Sequence, residues 1–377
     1  MLFDSIKYYH PEWKLVFLLV DEPSLIPKEI TIQFDLLLPM KDLLNKSKSA
    51  PQPEGWLFVH DIVELSTALK AKALVHLLSQ DDCDAVLYFD PDMMLFSSLS
   101  DLTDSFNLGD ILLTPHLTKQ EANDDLAAIR DNEISCLKHG TFNLGFIGVK
   151  KSKEGKRFAL WWQARTHEFC RDDIPNGLFT DQKWIDLVPA MFESHYVLRN
   201  ERYNVATWNY SSRKLSGNVS EGIRVNHQKL GFYHFTGIDS GAHEIMARRY
   251  AKDNETSNEL IEWYKNKLQQ SHLDRKDWTY NYYRNGVKIK PLHRHIYRSI
   301  ISIQSQYPDP YDTSNQDCFY QWVKYRQYIF RFIPATLILF NYKARHNDQS
   351  FYSLWKNSVK NRGYIQSVKL LLKSFYQ

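Results

Sequence analysis

Short apolar runs alternate with longer amphipathic segments along the first half of the chain. Continuous apolar runs of about four to eight residues predict buried strands. Such runs are "KLVFLLVD", "AVLYF", "DILLTP" and "NLGFIGV", at residues 14–21, 85–89, 110–115 and 143–149. Apolar positions three or four residues apart predict helices at residues 64–80 and 156–170. Strands that alternate with helices favour an α/β fold with a parallel or mixed sheet covered by helices.

The last third of the chain has helical spacing instead. The segment "NELIEWYKNKLQQS" (258–271) predicts a helix, and the Tyr-, Asp- and Pro-rich loop at 306–317 predicts a boundary. Apolar residues at helical spacing also predict an amphipathic helix near the end of the sequence. They are Val368, Leu371, Leu372 and Phe375. We therefore expect three regions: an α/β domain at 1–240, a helical extension at 241–318 and a basic amphipathic tail at 319–377.

Net charge differs between the tail and the rest of the chain. The whole chain has a formal charge of +3, yet residues 319–377 contain ten lysines and arginines and one acidic residue, Asp348. The preceding residues are therefore net acidic. A basic, aromatic-rich tail predicts a partner of negative charge. We expect an anionic membrane surface and no nucleic acid, and the alternative is that the tail docks on the acidic body.

Composition predicts a globular protein, with 43% hydrophobic and 24% charged residues. The aromatic share of 14% suits stacking on sugars or nucleobases, or a Tyr- and Trp-rich core. The start lacks the pattern of a secretory signal, and the apolar segment 328–340 is shorter than the about 20 residues that span a bilayer. The four cysteines form no CxxC pair. We expect a cytoplasmic protein, held peripherally at the inner face of the membrane.

Two aspartates follow the predicted strand in "AVLYFDPDMMLF". Side chains at positions i and i+2 of extended backbone point to one face, so Asp90 and Asp92 can converge on one cation while Pro91 fixes the backbone between them. Carboxylate oxygens suit Mg²⁺ or Mn²⁺. The alternative is a pair of aspartates that cap a turn after a strand.

Seven blocks in order resemble bacterial glycosyltransferases of the GT-A fold, distantly similar to glycosyltransferase family 8. The resemblance runs from about residue 15 to residue 239. The blocks are "ELSTALK", "AVLYFDPDMMLF", "LLTPHL", "GTFNLGFIGV", "GLFTDQKWIDLVP", "YNVATWN" and "FYHFTGID". The resemblance implies a GT-A fold with a mixed central sheet, followed by a helical C-terminal region.

The resemblance also implies a metal site. Asp92 would be the direct ligand, and Asp90 would reach the ribose or the metal through water. His234 resembles the distant histidine that completes the metal's protein ligands, and Gly237 belongs to the His-x-x-Gly turn that folds over the diphosphate. The metal would be Mn²⁺ or Mg²⁺. Without the resemblance, a histidine beside aromatic residues is more often part of the core.

Four further blocks imply donor and catalytic residues. Lys70 takes the position of a cation that faces the diphosphate, where the family pattern has an arginine; otherwise it is a solvated helix lysine. Asn143 and Gly145 resemble the pair that contacts the donor sugar. Asp181 and Gln182 resemble the catalytic pair that holds hydroxyls near the anomeric carbon, and their alternative is a cap on the helix predicted in "DQKWIDLV".

The resemblance implies a metal-dependent glycosyltransferase that moves a sugar from a nucleotide-diphosphate donor, a UDP-sugar, to a hydroxyl of a bacterial surface glycan or lipid-linked acceptor. Asp181 would be the general base if the reaction inverts the anomeric centre, and would position groups if it retains it. One departure is that Met1 precedes the first predicted helix directly, where the family has its first strand: we expect either that the true start lies upstream or that part of the nucleotide pocket has been lost. The alternative is a non-catalytic carbohydrate- or nucleotide-binding partner in a glycan-assembly complex.

Overall fold

A computed structural model describes residues 1–44, 53–270 and 277–332, with side chains through residue 326. The strands of this part are β1 (Val16–Leu19), β2 (Leu36–Pro39), β3 (Ala85–Phe89), β4 (Met93–Leu95), β5 (Ile111–Pro115), β6 (Phe142–Lys150), β7 (Asp172–Asp173), β8 (Leu178–Phe179), β9 (His195–Val197), β10 (Leu215–Asn218), β11 (Gly222–Val225), β12 (Gln228–Lys229) and β13 (Phe232–His234).

The α-helices are α1 (Leu2–Tyr9), α2 (Lys28–Thr31), α3 (Met40–Leu43), α4 (Pro53–Phe58), α5 (Ile62–Leu77), α6 (Ser100–Asp104), α7 (Leu126–Ala128), α8 (Ile134–His139), α9 (Lys153–Phe169), α10 (Val188–Met191), α11 (Ala242–Tyr250), α12 (Glu255–Gln270), α13 (Pro291–Ser299), α14 (Ile301–Gln306) and α15 (Phe319–Phe332). Short 3₁₀ turns connect several of them, and Ile129–Glu133 forms a π-helical turn between α7 and α8.

The described residues fall into two compact units. The first contains those within Met1–Leu43 and Ser66–Lys276, and the second contains those within Leu44–Leu65 and Asp277–Gln377. Helices α11 and α12 belong to the first unit with the strands. The division predicted from the sequence, with boundaries after residues 240 and 318, stays a prediction.

A four-stranded mixed sheet in the order β3-β6-β5-β9 forms the centre of the first unit. Strand β6 is antiparallel to both β3 and β5, while β5 and β9 are parallel. All positions of β5, and all of β6 except its last, are buried. Both faces of these strands are covered, and this explains why their sequences are continuous apolar runs. The predicted α/β class with a mixed sheet is therefore confirmed.

Helices α5 and α9 contribute to the hydrophobic core of this sheet. Leu74 of α5, Leu78 directly after it, and Phe158 and Trp162 of α9 belong to one buried cluster with residues of β5 and β6. The buried positions of α9 recur three or four residues apart, which places them on one helical face. Ser152 caps α9 by accepting a hydrogen bond from the Gly155 amide. Both helices were predicted from their apolar spacing.

Strand β1 is shorter and less buried than the sequence predicts. The pattern predicts a buried strand over residues 14–21, but β1 covers Val16–Leu19, and of these residues only Leu19 is buried. It pairs in parallel with β2 in a separate two-stranded sheet. Helix α1 precedes it, as predicted, and contributes Ile6 to a second buried cluster.

The second unit has an aromatic core around a buried arginine. The Arg294 guanidinium donates hydrogen bonds to the carbonyl groups of Phe58, His60 and Tyr280. The Phe58 ring contacts four other aromatic rings of this unit, among them Phe319 at the start of α15. Helix α15 therefore packs into this core through its first residue, the buried Phe319.

Most of the predicted tail lies outside the described residues. This applies to the proposed amphipathic helix with Val368, Leu371, Leu372 and Phe375, so tail binding to an anionic membrane stays a prediction. Among the described helices, none combines the length and apolar character needed to cross a bilayer.

Candidate metal centre

Two chain segments bring Asp90, Asp92 and His234 together. Asp90 follows β3, and its amide donates to the Gly145 carbonyl at 2.7 Å, which extends the pairing with β6. Strand β4 then pairs with β13 so that Met93 lies opposite His234. The Asp90, Asp92 and His234 side chains each offer one ligand atom, and these three atoms lie within 4.8 Å of one another. The three predicted metal ligands therefore form one cluster.

Hydrogen bonds fix which nitrogen of His234 is free. The Asn143 side-chain oxygen accepts from the Gly145 amide at 3.2 Å and lies 3.2 Å from His234 Nδ1. An amide oxygen can only accept, so Nδ1 carries a proton and donates to it. His234 Nε2 then faces Asp92 Oδ1 at 3.1 Å. In the neutral imidazole these are two acceptors, which come this close when a cation or a proton lies between them.

The Asp92 carboxyl is favoured in its charged form. Burial raises its pKa, but when a proton lies between His234 Nε2 and Asp92 Oδ1, the hydrogen bond and charge of His234 outweigh burial, and the net pKa lies below its ordinary value. A carboxylate pair and an imidazole nitrogen held by a second-sphere amide form a donor set that transition metals accept. The residues present therefore fit a divalent cation such as Mn²⁺.

Gly145 makes room for this arrangement. A Cβ atom at this position would lie 2.4 Å from the Met93 side chain and 2.5 Å from the His234 ring. With any larger residue here, the His234 ring or the Met93 side chain would have to shift. Gly145 therefore packs closely against the His234 ring, and its contact with the donor sugar stays a prediction.

The Gly145→Ala substitution should therefore weaken Mn²⁺ binding and lower the free energy of unfolding by about 1–3 kcal/mol, as overpacking does. Urea denaturation and Mn²⁺ titration measure the two effects. Gly148→Ala in the same strand is the matched control, because the atoms nearest its added Cβ are side-chain atoms at 3.0–3.2 Å. Equal Mn²⁺ affinity in Gly145→Ala and the control would contradict the packing role.

Lys70 lies between two carboxylates. Its ammonium is 3.2 Å from Asp90 Oδ1 and 3.3 Å from Asp181 Oδ2, and it donates to the Leu144 carbonyl at 2.9 Å. Lys70 and Asp181 are both buried, with 4% and 2% of their side chains exposed. Burial lowers the pKa of Lys70, but the charges of Asp181 and Asp90 outweigh it and raise this pKa well above the ordinary value. Lys70 is therefore a cation, and its position at a diphosphate stays a prediction.

Asp181 is buried, and three neighbouring side chains contact it. Thr180 adopts a positive φ of 44°, which is uncommon for a β-branched residue and marks local strain. The Trp162 indole donates to the Asp181 carbonyl at 3.0 Å, and the Thr180 hydroxyl donates to Asp181 Oδ1 at 3.2 Å. Burial raises the pKa of Asp181, the nearby Lys70 lowers it, and the net shift is upward. Strain and burial of this kind occur often at functional sites.

Gln182 contacts backbone groups through both ends of its amide. Its oxygen accepts from the Leu144 amide at 3.0 Å, and its nitrogen donates to the His139 carbonyl at 3.0 Å. The helix predicted in "DQKWIDLV" begins as a 3₁₀ turn at Lys183–Leu187 and continues as α10. These contacts position β6 beside Asp181, and a direct role of Gln182 in catalysis stays a prediction.

Gly237 forms the turn after His234. Its φ is +73°, a conformation that glycine adopts without a steric penalty, and its carbonyl accepts from the His243 amide at 3.2 Å. The turn therefore leads from β13 into α11. Contact of Gly237 with a diphosphate stays a prediction.

The sequence analysis did not identify Tyr88, whose hydroxyl donates to Asp90 Oδ1 at 2.6 Å. The centroid of its ring lies 4.6 Å from Lys70 Nζ, within cation–π range. Burial, and then the charge of Asp90, raise the pKa of this phenol well above its ordinary value, so Tyr88 stays a donor. Tyr88 stands two residues before Asp90 on a strand, and this spacing could have indicated that the two share a face.

Two aromatic residues beside His234 were also missed. The Trp208 ring contacts the rings of His116 and His234 edge-on, with centroids 5.3 and 5.4 Å apart. Burial lowers the pKa of His116 to about 4, which keeps it neutral. The buried Trp208 Nε1 has no hydrogen-bond partner among the described residues.

No family model matches this chain. Similar proteins include two from Bacillus subtilis (strain 168). The uncharacterized protein YfnF is 24% identical over 243 residues, which cover 63% of this chain and 76% of YfnF. The uncharacterized protein YfnD is 26% identical over 178 residues, which cover 46% of this chain and 54% of YfnD. The similarity to YfnD thus spans about half of that relative's length.

Proposed function

We propose that this chain is a metal-dependent glycosyltransferase of the GT-A fold, which transfers a sugar from a nucleoside diphosphate donor to a hydroxyl group. A UDP-sugar is the proposed donor, and a surface glycan or a lipid-linked glycan is the proposed acceptor. One observation carries the proposal: Asp90, Asp92 and His234 converge from two chain segments, and Asn143 directs the free His234 nitrogen at Asp92.

Mn²⁺ is the better fit of the two ions considered, because imidazole nitrogen is a ligand of transition metals, whereas Mg²⁺ prefers oxygen alone. Asp90, Asp92 and His234 would hold it. When bound, such an ion neutralises charge that develops on a leaving diphosphate. The protein's part is to hold Asp90 beside Lys70 and Tyr88, to keep Asp92 beside His234, and to present His234 Nε2.

Asp181 is proposed to act near the transferred sugar. It is fully buried beside Lys70, and Lys70 joins it to Asp90 of the metal cluster. A buried carboxylate at this position can orient a hydroxyl or stabilise positive charge at the anomeric carbon. Such an interaction is stronger in the transition state than in the ground state, so its loss lowers kcat more than it weakens binding.

The Asp181→Asn substitution should therefore lower kcat by about a hundredfold or more, with little change in nucleotide affinity. Turnover and calorimetric titration with UDP measure the two quantities. The exposed Asp104→Asn serves as a control for a lost carboxylate. If Asp181→Asn keeps full turnover, Asp181 is a structural partner of Lys70 and has no part in catalysis.

The experiment that tests the function is release of nucleoside diphosphate from a panel of sugar nucleotides, with Mn²⁺ or with excess chelator. Slow hydrolysis by water lets the assay run before the acceptor is known. The proposal expects release from at least one donor with Mn²⁺ and none with chelator. Tight, Mn²⁺-dependent binding of a donor without any release, also in the presence of glycan acceptors, would instead favour the non-catalytic binding partner.

A further inference from the structure

A buried chain of hydroxyl groups and one imidazole lies behind the turn that follows His234. The Ser257 hydroxyl donates to Tyr210 at 3.0 Å, the Tyr210 and Tyr233 hydroxyls are 2.6 Å apart, and Tyr233 is 2.9 Å from His243 Nε2. His243 Nδ1 is 2.9 Å from the Thr236 carbonyl. The four side chains are at most 3% exposed. Nothing in the proposed reaction requires this chain.

Chemistry fixes the direction of every hydrogen bond in this chain. A carbonyl oxygen only accepts, so His243 Nδ1 must carry the proton that it donates to Thr236. Burial lowers the pKa of His243, so the ring is neutral and Nε2 is an acceptor. Tyr233 must then donate to His243, which leaves its oxygen to accept from Tyr210. Each hydroxyl therefore donates one hydrogen bond to the next group, in the order Ser257, Tyr210, Tyr233 and His243, which leads from α12 to the turn.

The chain ends on the turn that carries the metal ligand. Thr236 lies two residues after His234, and the Gly237 carbonyl accepts from the His243 amide at 3.2 Å. His243 thus holds two successive carbonyl groups of this turn, one through its side chain and one through its backbone. On the other side, the Phe235 amide donates to the Asp92 carbonyl at 2.8 Å. Hydrogen bonds to His243 on one side and to Asp92 on the other therefore hold the turn in place.

We propose that His243, with the proton on Nδ1, is a positioning residue that orients His234 by holding the turn His234–Gly237. The role of His243 in metal binding rests on the proposed function. The tautomer of His243 and its hydrogen bonds to the turn do not depend on that function. Groups that orient metal ligands typically contribute about ten- to a hundredfold to metal affinity. Because the Nδ1 bond reaches the turn directly, that bond should matter more than the Nε2 bond to Tyr233.

Two substitutions separate the two nitrogens of His243. In His243→Asn the amide NH₂ can take the place of Nδ1–H and donate to Thr236, whereas in His243→Gln the amide extends to the position of Nε2. We expect His243→Asn to keep Mn²⁺ affinity within about threefold and His243→Gln to lose about ten- to a hundredfold. Mn²⁺ titration followed by electron paramagnetic resonance measures the affinity, and urea denaturation checks that both variants fold. Equal affinities in two folded variants would overturn the proposal.

Two measurements on the metal-free protein keep the inference separate from the proposed function. The ¹⁵N chemical shifts of His243 should show a protonated Nδ1 and an unprotonated Nε2, and an Nε2–H tautomer would overturn the proposal. Amide hydrogen exchange at Ile238, which donates to the Phe235 carbonyl within the turn, should be faster in His243→Gln than in His243→Asn. If the wild type binds no Mn²⁺, the metal site fails, and these two measurements still decide the role of His243.

Discussion

Asp92→Asn should abolish Mn²⁺ binding and reduce donor turnover by about two to three orders of magnitude, while the protein stays folded. The substitution removes a ligand charge but keeps the size of the side chain. Asp92 is 37% exposed on its side chain and its backbone carbonyl keeps the bond from Phe235, so the fold does not depend on the carboxylate. Mn²⁺ titration, turnover and the melting temperature measure the three quantities.

The matched control for this substitution is Asp104→Asn, an exposed aspartate of the same unit at the end of α6. It should behave as the wild type in all three measurements. Wild-type Mn²⁺ affinity in Asp92→Asn would rule out Asp92 as a ligand. A large loss of stability without a change in metal affinity would make Asp92 a structural residue.

Lys70→Met should lower the free energy of unfolding by about 3–5 kcal/mol, since it leaves the buried Asp181 without its cation. Methionine keeps the length of the side chain but not its charge. Asp181 Oδ2 has no hydrogen-bond partner among the described residues, so Lys70 is its main compensation. Urea denaturation of the variant and the wild type measures the difference.

The deficit of Lys70→Met should depend on pH. Burial already raises the pKa of Asp181 above its ordinary value, and loss of Lys70 removes the charge that opposes this shift. A carboxyl with a raised pKa in the folded state costs stability when ionised, and this cost disappears as falling pH protonates it. The deficit should therefore be smaller at about pH 5 than at about pH 8.

Two further variants test the assignment of this deficit to Asp181. Lys72→Met removes a neighbouring lysine of α5 whose facing carboxylate, Glu168, is exposed, so it should cost less than about 1 kcal/mol. The double variant Lys70→Met/Asp181→Leu removes both buried charges and should regain most of the stability. If the double variant is as unstable as Lys70→Met, the deficit comes from packing and not from an uncompensated charge.

The sequence predicts those elements whose burial follows a simple period. Strands β3, β5 and β6 and helices α5, α9 and α12 lie close to their predicted ranges, because apolar spacing directly reflects burial against one core. Strand β1 is the exception, since an apolar run predicts burial but does not show how much of a small sheet is covered. The spacing of Asp90 and Asp92 likewise predicts that they converge, and His234 came only with the family resemblance.

The charged cluster behind these ligands could not be predicted from spacing. Lys70 lies on α5, Asp90 follows β3, and Asp181 precedes a 3₁₀ turn. Only the tertiary fold brings the two carboxylates within 3.3 Å of Lys70 Nζ. The same holds for Trp208, whose ring contacts both His116 and His234 from distant segments of the chain. A sequence pattern shows which face a side chain takes, and the partner across that face depends on how the elements pack.

The most direct test of the account is anomalous X-ray scattering from crystals of this protein soaked with Mn²⁺ and UDP. The account predicts a manganese peak at bonding distance, about 2.0–2.3 Å, from oxygens of Asp90 and Asp92 and from Nε2 of His234. The diphosphate should contact the same ion. A nucleotide bound elsewhere, or a manganese peak that these three side chains do not contact, would contradict the proposed metal site.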